Sequence, residues 1–494
     1  MFNFIKPAMV LVLGLFAMAP AQAVDMSSVQ TLVKPGTGGA PWTAAQITRL
    51  HTDIEQMLKA PTLRGAHLGF IAVDTKTGKL LYSRNADDDL MPASNFKLLV
   101  GSTALARLGT DFVYKTQVFS DGSNLYLHGG GDVQLLPKDL DDAAAALAAQ
   151  GIKTVSGAVI TDASYYDSQR YGYGWSWDDL PYYYAPVVTA LNLDDNVVHI
   201  RFSPGTTLGA PMQLHISPVS SAYTIENAAT TGTASSKDTT DIVRPWDKPR
   251  TIEITGNYPL GSKESGDVDP AVPDPESLAG DVFLQALQAN GITVAGATHS
   301  GVTPAVAKLL WSHDSQRFPQ LLAQFWYPSD NLMGEVMLKQ LGVLHSGAPG
   351  TDTNGIPIEQ AFLKSIGVDP GTVTVADGSG LSQYDRITPR DLLTILQADW
   401  RSPNRDVVLN ALPVSGVRGT LAHSYTGSLL TKRIFAKTGS ISHVRTISGY
   451  LRTLHHGAVT FSFMLNDWMD EDAPHGGQRL AKVREAMFSR IVND

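Results

Sequence analysis

A serine with a lysine three residues further on occurs once in this 494-residue chain, at Ser94-Asn95-Phe96-Lys97. On a helix, positions i and i+3 share a face, so the Lys97 amine can reach the Ser94 hydroxyl and, once desolvated, accept its proton. In a first helical turn Ser94 would also sit among unpaired N–H groups that favour negative charge. Ser-x-Asn occurs three times, at Ser83, Ser329 and Ser402, and only Ser329-Asp330-Asn331 leads straight into an amphipathic segment, NLMGEVMLKQLGVL. There Ser329 could relay a proton to a leaving group while Asn331 hydrogen-bonds a substrate amide. Lys-Thr-Gly occurs twice. Lys76-Thr77-Gly78 falls in a hairpin turn, which already accounts for its glycine. Lys437-Thr438-Gly439 instead opens the strand-like SISHVRTISGYL. A cation and a hydroxyl on an edge strand suit a carboxylate, the glycine admits substrate to the backbone, and the N–H groups of Ser94 and Ser440 could form an oxyanion hole. Each motif alone fits an ordinary cap or turn; together they describe acyl transfer by a lysine-activated serine.

These residues need elements to hold them. Residues 67–83 alternate apolar and polar around Thr-Lys-Thr-Gly and predict a β-hairpin. A helix is expected through SNFKLLVGSTALARLG, closed by Gly109. FVYKTQVF and NLYLHG read as paired strands and 137–150 as an alanine-rich helix. From 192 to 264 the chain turns to short strand-like pieces around the polar tract TTGTASSKDTTD, which predicts a β-rich insertion. Helices and strands alternate again after 307, and the last helix carries Leu480, Val483, Met487 and Ile491 on one face, as a core-packed helix should. The fold class is mixed α/β (α+β).

Composition narrows the function. With 43% apolar and 17% charged residues the chain buries a sizeable core. It has no cysteine, which removes thiol catalysis, disulfides and thiolate metal sites. A net charge of -9 without a Lys/Arg block argues against nucleic acid. There is no His-Glu-x-x-His zinc pattern and no Gly-x-Ser-x-Gly elbow, so neither metal nor cofactor is expected. The N-terminus, MFNFIKPAMVLVLGLFAMAPAQA, combines Lys6, an apolar stretch and Ala21-Gln22-Ala23, the pattern of an exported protein cut after Ala23. No later stretch is long and apolar enough to span a bilayer, so contact with the membrane would be peripheral at most.

The order of the three motifs matches the signature of penicillin-binding proteins and class A β-lactamases. PASNFKLL, GGGD at 129–132, WDDLPYYYAPVVTALNLDDN at 177–196, SDNLMGE at 329–335 and DGSGLSQYDRITP at 377–389 together resemble the class C low-molecular-mass penicillin-binding proteins, the D-alanyl-D-alanine carboxypeptidase/endopeptidases. The resemblance implies a signal peptide at 1–23 and a transpeptidase-like catalytic domain of 24–111 and 307–494. It also implies an inserted second domain of 112–191 and 265–306, and a nested third domain at 192–264. It implies a periplasmic enzyme whose partners are peptidoglycan stem peptides and β-lactam antibiotics. Ser94 would attack the carbonyl of the penultimate D-Ala, with Lys97 made basic by burial and by the charge of Lys437. Asp162 matches the segment in which the family places an acidic contact to the stem peptide's amine, and it equally fits a turn-capping aspartate. Gln383 stands where the family often has a basic residue. A β-lactamase, a generic serine esterase of the same fold and a non-catalytic wall-binding protein remain alternatives; the Glu-x-x-Leu-Asn pattern of class A deacylation is absent.

Overall fold

The computed structural model describes residues 39–262 and 265–494. The expected signal peptide lies outside them. Two distant parts of the chain build one five-stranded sheet, in the order Ile434–Ile441, Val444–Arg452, Ala458–Asn466, His67–Asp74, Leu80–Arg84. All its pairings are antiparallel, and His67–Asp74 runs in unbroken register from His67 opposite Asn466 to Asp74 opposite Val459. Leu68 to Asp74 are all buried, so both faces of this strand are covered. The terminal helix Gly476–Asn493 covers one face with Met487, Phe488 and Ile491, as its apolar stripe requires. Helix Pro389–Arg401 covers the other, where Gln397 Nε2 donates to Thr460 Oγ1 at 2.6 Å and Tyr450 Oη to the Leu396 carbonyl at 2.7 Å.

The hairpin turn explains the first Lys-Thr-Gly. Asp74 Oδ1 accepts from the Thr77 N–H at 2.7 Å, and Gly78 adopts a φ of 71°. The helix expected after Met91 spans Lys97–Leu108 and is buried from Lys97 through Leu105. It packs closely on helix Phe318–Trp326: a Cβ on Gly101 would lie 2.8 Å from the Trp326 ring.

A second five-stranded sheet runs His299–Ser300, Val159–Asp162, Leu125–Gly129, Lys115–Ser120, Lys308–Asp314. Helices Pro137–Ala149 and Pro275–Ala289 pack on it through Leu140, Leu147 and Phe283. Strand Lys308–Asp314 pairs with Lys115–Ser120. That stretch completes the second sheet before the chain returns at Phe318–Trp326. Between 197 and 268 the described residues form only strands, in small two- and three-stranded sheets. Phe202, Ile252, Ile254 and Tyr258 of this region share one core with Leu191, Leu278 and Phe283, so the β-rich piece is stabilised against the second region.

Candidate active site

Ser94 lies in a short 3-10 turn, Ala93–Phe96, that runs directly into the buried helix. Its neighbour Ala93 is fully buried with a φ of 46°, a conformation that costs a non-glycine residue and persists only where the surroundings enforce it. Several contacts enforce it here. Asn466 grips Met91, accepting from its N–H at 2.8 Å and donating to its carbonyl at 3.1 Å. Thr446 Oγ1 donates to the Pro92 carbonyl at 2.7 Å and accepts from the Asn95 amide. Gly380 lies so close that a Cβ would stand 2.1 Å from the Ala93 carbonyl oxygen.

Lys97 is fully buried and all three of its donors are engaged, with Ser94 Oγ at 3.1 Å, Asn331 Oδ1 at 2.5 Å and the Ser379 carbonyl at 2.6 Å. Burial pulls its pKa down to about 8, against the opposing pull of Asp377, Asp330, Glu335 and Asp385. At neutral pH a usable fraction is therefore the free amine, the form that can accept a proton. The expected lysine-lysine repulsion acts chiefly on the other partner: Lys437 is held well below the ordinary lysine value by burial and then by the charge of Lys97.

Ser329 precedes helix Asn331–Ser346 with a φ of 69°, a second strained non-glycine residue, while Asp330 caps the helix by accepting from the Met333 N–H at 3.1 Å. The strain turns the Ser329 hydroxyl toward the third motif, where Lys437 Nζ donates to it at 2.7 Å. Asn331 bridges two parts of the chain, accepting from Lys97 and donating to the Tyr184 carbonyl at 2.7 Å. Thr438 Oγ1 lies 2.7 Å from Thr420 Oγ1. Gly439 abuts the nucleophile turn: a Cβ there would be 2.8 Å from the Pro92 carbonyl oxygen and 3.0 Å from the Asn95 nitrogen. Ser440 follows, exposed on the edge strand.

Seven of the nine sequence-derived site residues thus fall on two neighbouring Ser–Lys pairs and the strand beside them, and Asn331 joins them through its bond to Lys97. Asp162 does not join them by any direct bond. Its side chain is 1% exposed, and it accepts from His128 Nδ1 at 3.0 Å and from the Ser164 and Thr303 N–H groups at 2.9 and 2.8 Å. Burial alone would raise its pKa, but those bonds hold it below the ordinary range. Sequence reasoning missed the Ser379 and Tyr184 carbonyls, because a backbone acceptor leaves no residue-type signal. The run Asp-Gly-Ser-Gly at 377–380 did carry a tight-turn signal that marked where one of them would be.

A buried lysine amine on a serine hydroxyl, a second Ser–Lys pair across from it and a glycine-bearing edge strand beside both define the site of a serine acyl-transfer enzyme. A profile of the D-Ala-D-Ala carboxypeptidase 3 (S13) family matches residues 50–487, and the chain belongs to that family of serine peptidases. It is 33% identical over 484 residues to the D-alanyl-D-alanine carboxypeptidase of Actinomadura sp. (strain R39), across 94% of this chain and 88% of that protein. It is 25% identical over 449 residues to the D-alanyl-D-alanine carboxypeptidase DacB of Haemophilus influenzae, across 88% of this chain and 91% of that one. The crystal structure of penicillin binding protein 4 (dacB) from Haemophilus influenzae has the same fold, with a TM-score of 0.80 at 21% identity over 89% of this chain and 99% of that one.

Proposed function

We propose that this chain is a periplasmic D-Ala-D-Ala carboxypeptidase and D,D-endopeptidase acting on peptidoglycan stem peptides through an acyl-enzyme on Ser94. The observation that carries the reading is the fully buried Lys97 amine bonded at once to Ser94 Oγ and Asn331 Oδ1. As the Ser94 oxygen attacks the carbonyl of the penultimate D-Ala, its proton passes to Lys97 Nζ and the carbonyl electrons move onto oxygen. The N–H groups of Ser94 and Ser440 face that oxyanion. Ser329, bonded to Lys437, delivers a proton to the departing nitrogen, and the C–N bond breaks. The leaving group is D-Ala in the carboxypeptidase reaction and a cross-linked amine in the endopeptidase reaction. Water then attacks the ester, returning Ser94. Lys437, Thr438 and Gly439 receive the substrate carboxylate, whose negative charge favours protonated Lys437 on binding. Asn331 holds the substrate amide.

Penicillin presents a strained amide in the same geometry, so it acylates Ser94. The absence of the class A deacylation pattern supports a long-lived adduct rather than β-lactamase turnover. Export is supported by the N-terminal sequence, and among the described residues no helix is long and apolar enough to cross a membrane. The test is intact-protein mass after benzylpenicillin. A one-drug adduct on the wild type and none on Ser94→Ala is expected; an equal adduct on both proteins, or none on the wild type, would overturn the assignment unless the drug is being rapidly hydrolysed.

A further inference from the structure

Behind Lys97 lie two carboxylates that the acyl-transfer steps do not use. Asp377 and Asp385 are both 0% exposed. Asp377 accepts from five donors: the Ser379 and Gly380 N–H groups at 3.0 and 2.6 Å, Ser379 Oγ at 2.9 Å, the Ser382 N–H at 2.8 Å and Trp175 Nε1 at 2.8 Å. That set knots the 377–382 loop around one anion, and the Ser379 carbonyl it orients is the one that takes a bond from Lys97. Asp385 is different. Its Oδ1 accepts from the Ala376 and Asp377 N–H groups, while its buried Oδ2 has no hydrogen-bond partner, and burial followed by the neighbouring Asp377 carboxylate pushes its pKa well above the ordinary carboxylate range. Two neighbouring dry carboxylates resist being charged together, and a buried acceptor without a donor costs free energy; one proton on Asp385 relieves both.

We propose that Asp385 carries a proton which it donates to Asp377, and that this carboxyl-carboxylate pair is the positioning device for Lys97, aiming the Ser379 carbonyl at its amine and setting its proton affinity with a single negative charge. The inference rests on Lys97 being the base for Ser94. The other charged groups around the pair and Lys97 are Asp330 and Glu335 of helix Asn331–Ser346, Asp352 and Glu359 of helix Asp352–Ser365, and Lys437 of the edge strand. Glu335 and Glu359 are pushed upward by burial, and Asp377 has the largest pull on Lys97 of the surrounding carboxylates. Through Trp175 the pair also ties the aromatic segment of the second region to the base.

The test is the pH dependence of benzylpenicillin acylation for wild type, Asp377→Asn and Asp385→Asn. The acid limb of the profile, where Lys97 loses its proton, should move to lower pH by about one unit in Asp377→Asn, which removes the anion. It should stay in place in Asp385→Asn, whose amide imitates the protonated acid, whatever that variant's absolute rate. An unmoved limb in Asp377→Asn, or an equal shift in both variants, would overturn the proposal. If Asp377→Asn does not fold, Ser379→Ala removes one donor to the same carboxylate and keeps the carbonyl. Its acylation rate at saturating drug should fall about threefold to tenfold with unchanged drug affinity, and an unchanged rate would refute the pair's role. An adduct on Ser94→Ala measured alongside would instead sink the nucleophile assignment.

Discussion

Glu359 holds a buried proton whose loss should be readable as a change in stability with pH. It sits in helix Asp352–Ser365, is 0% exposed, and neither carboxylate oxygen has a hydrogen-bond partner. Burial, then the charges of Asp377 and Asp352, pushes its pKa from 4.5 to about 8. The folded protein therefore holds this proton over a range in which the unfolded chain has released it. Because the folded pKa is the higher one, stability is greatest at low pH and falls as pH rises from the unfolded value toward the folded one, then levels off. Between about pH 5 and pH 8 the loss is about 1.4 kcal/mol per pH unit, or about 4 kcal/mol in all. Glu359→Gln has nearly the same shape and no proton to lose. Urea unfolding of both proteins at the two pH values, followed by far-UV circular dichroism, should show the wild type losing about 4 kcal/mol more than the variant across that interval. The variant should be the more stable protein at pH 8. If the two proteins lose stability in parallel, Glu359 is solvated or paired in solution and the argument from its orphaned oxygens fails.

Two further outcomes follow from the site. The acylation rate of the wild type should rise with pH through about 8 as Lys97 becomes the free amine, which a stopped-flow profile would check; a flat rate between pH 6 and pH 9 contradicts its role as base. Gly439→Ala places a methyl 2.2 Å from Thr446 Oγ1 and 2.8 Å from the Pro92 carbonyl oxygen, so the edge strand must retreat from the nucleophile turn. Overpacking of this kind costs about 1–3 kcal/mol and a displacement near 1 Å about a hundredfold in rate, read as Tm and acylation together; wild-type values for both would contradict the packing.

The sequence disclosed the side-chain chemistry better than the backbone that completes it. Ser94, Lys97, Ser329, Asn331 and Lys437 were legible because each is a chemically distinctive residue at a fixed spacing, and their bonds now link them pairwise. The duplicate Lys-Thr-Gly could be set aside because its glycine had a turn to make, and Gly78 makes it. The pairing of Lys308–Asp314 with Lys115–Ser120 was not legible, because a long-range partner is invisible in local pattern. The strain at Ala93 was equally hidden, since alanine gives no warning of a positive φ that only Asn466, Thr446 and Gly380 around it enforce. Asp162 was the least legible of the site residues, because its segment suggests a substrate contact and a turn cap alike; its oxygens accept from His128, Ser164 and Thr303.

The register of the first sheet has a consequence for how the molecule is made. His67–Asp74 is an interior strand of that sheet, yet its neighbour Ala458–Asn466 lies about 400 residues further along the chain. Until nearly the whole polypeptide has emerged, an apolar strand with one unpaired edge must wait with only its own hairpin for company. Such topologies close slowly, because the entropy of a very large loop is lost before any of its contacts form. The second and third regions, whose shared core needs nothing from the far ends, can fold first and shorten that loop. A folded insertion brings the two ends of that loop together, so the inserted regions shorten the search the waiting strand must make.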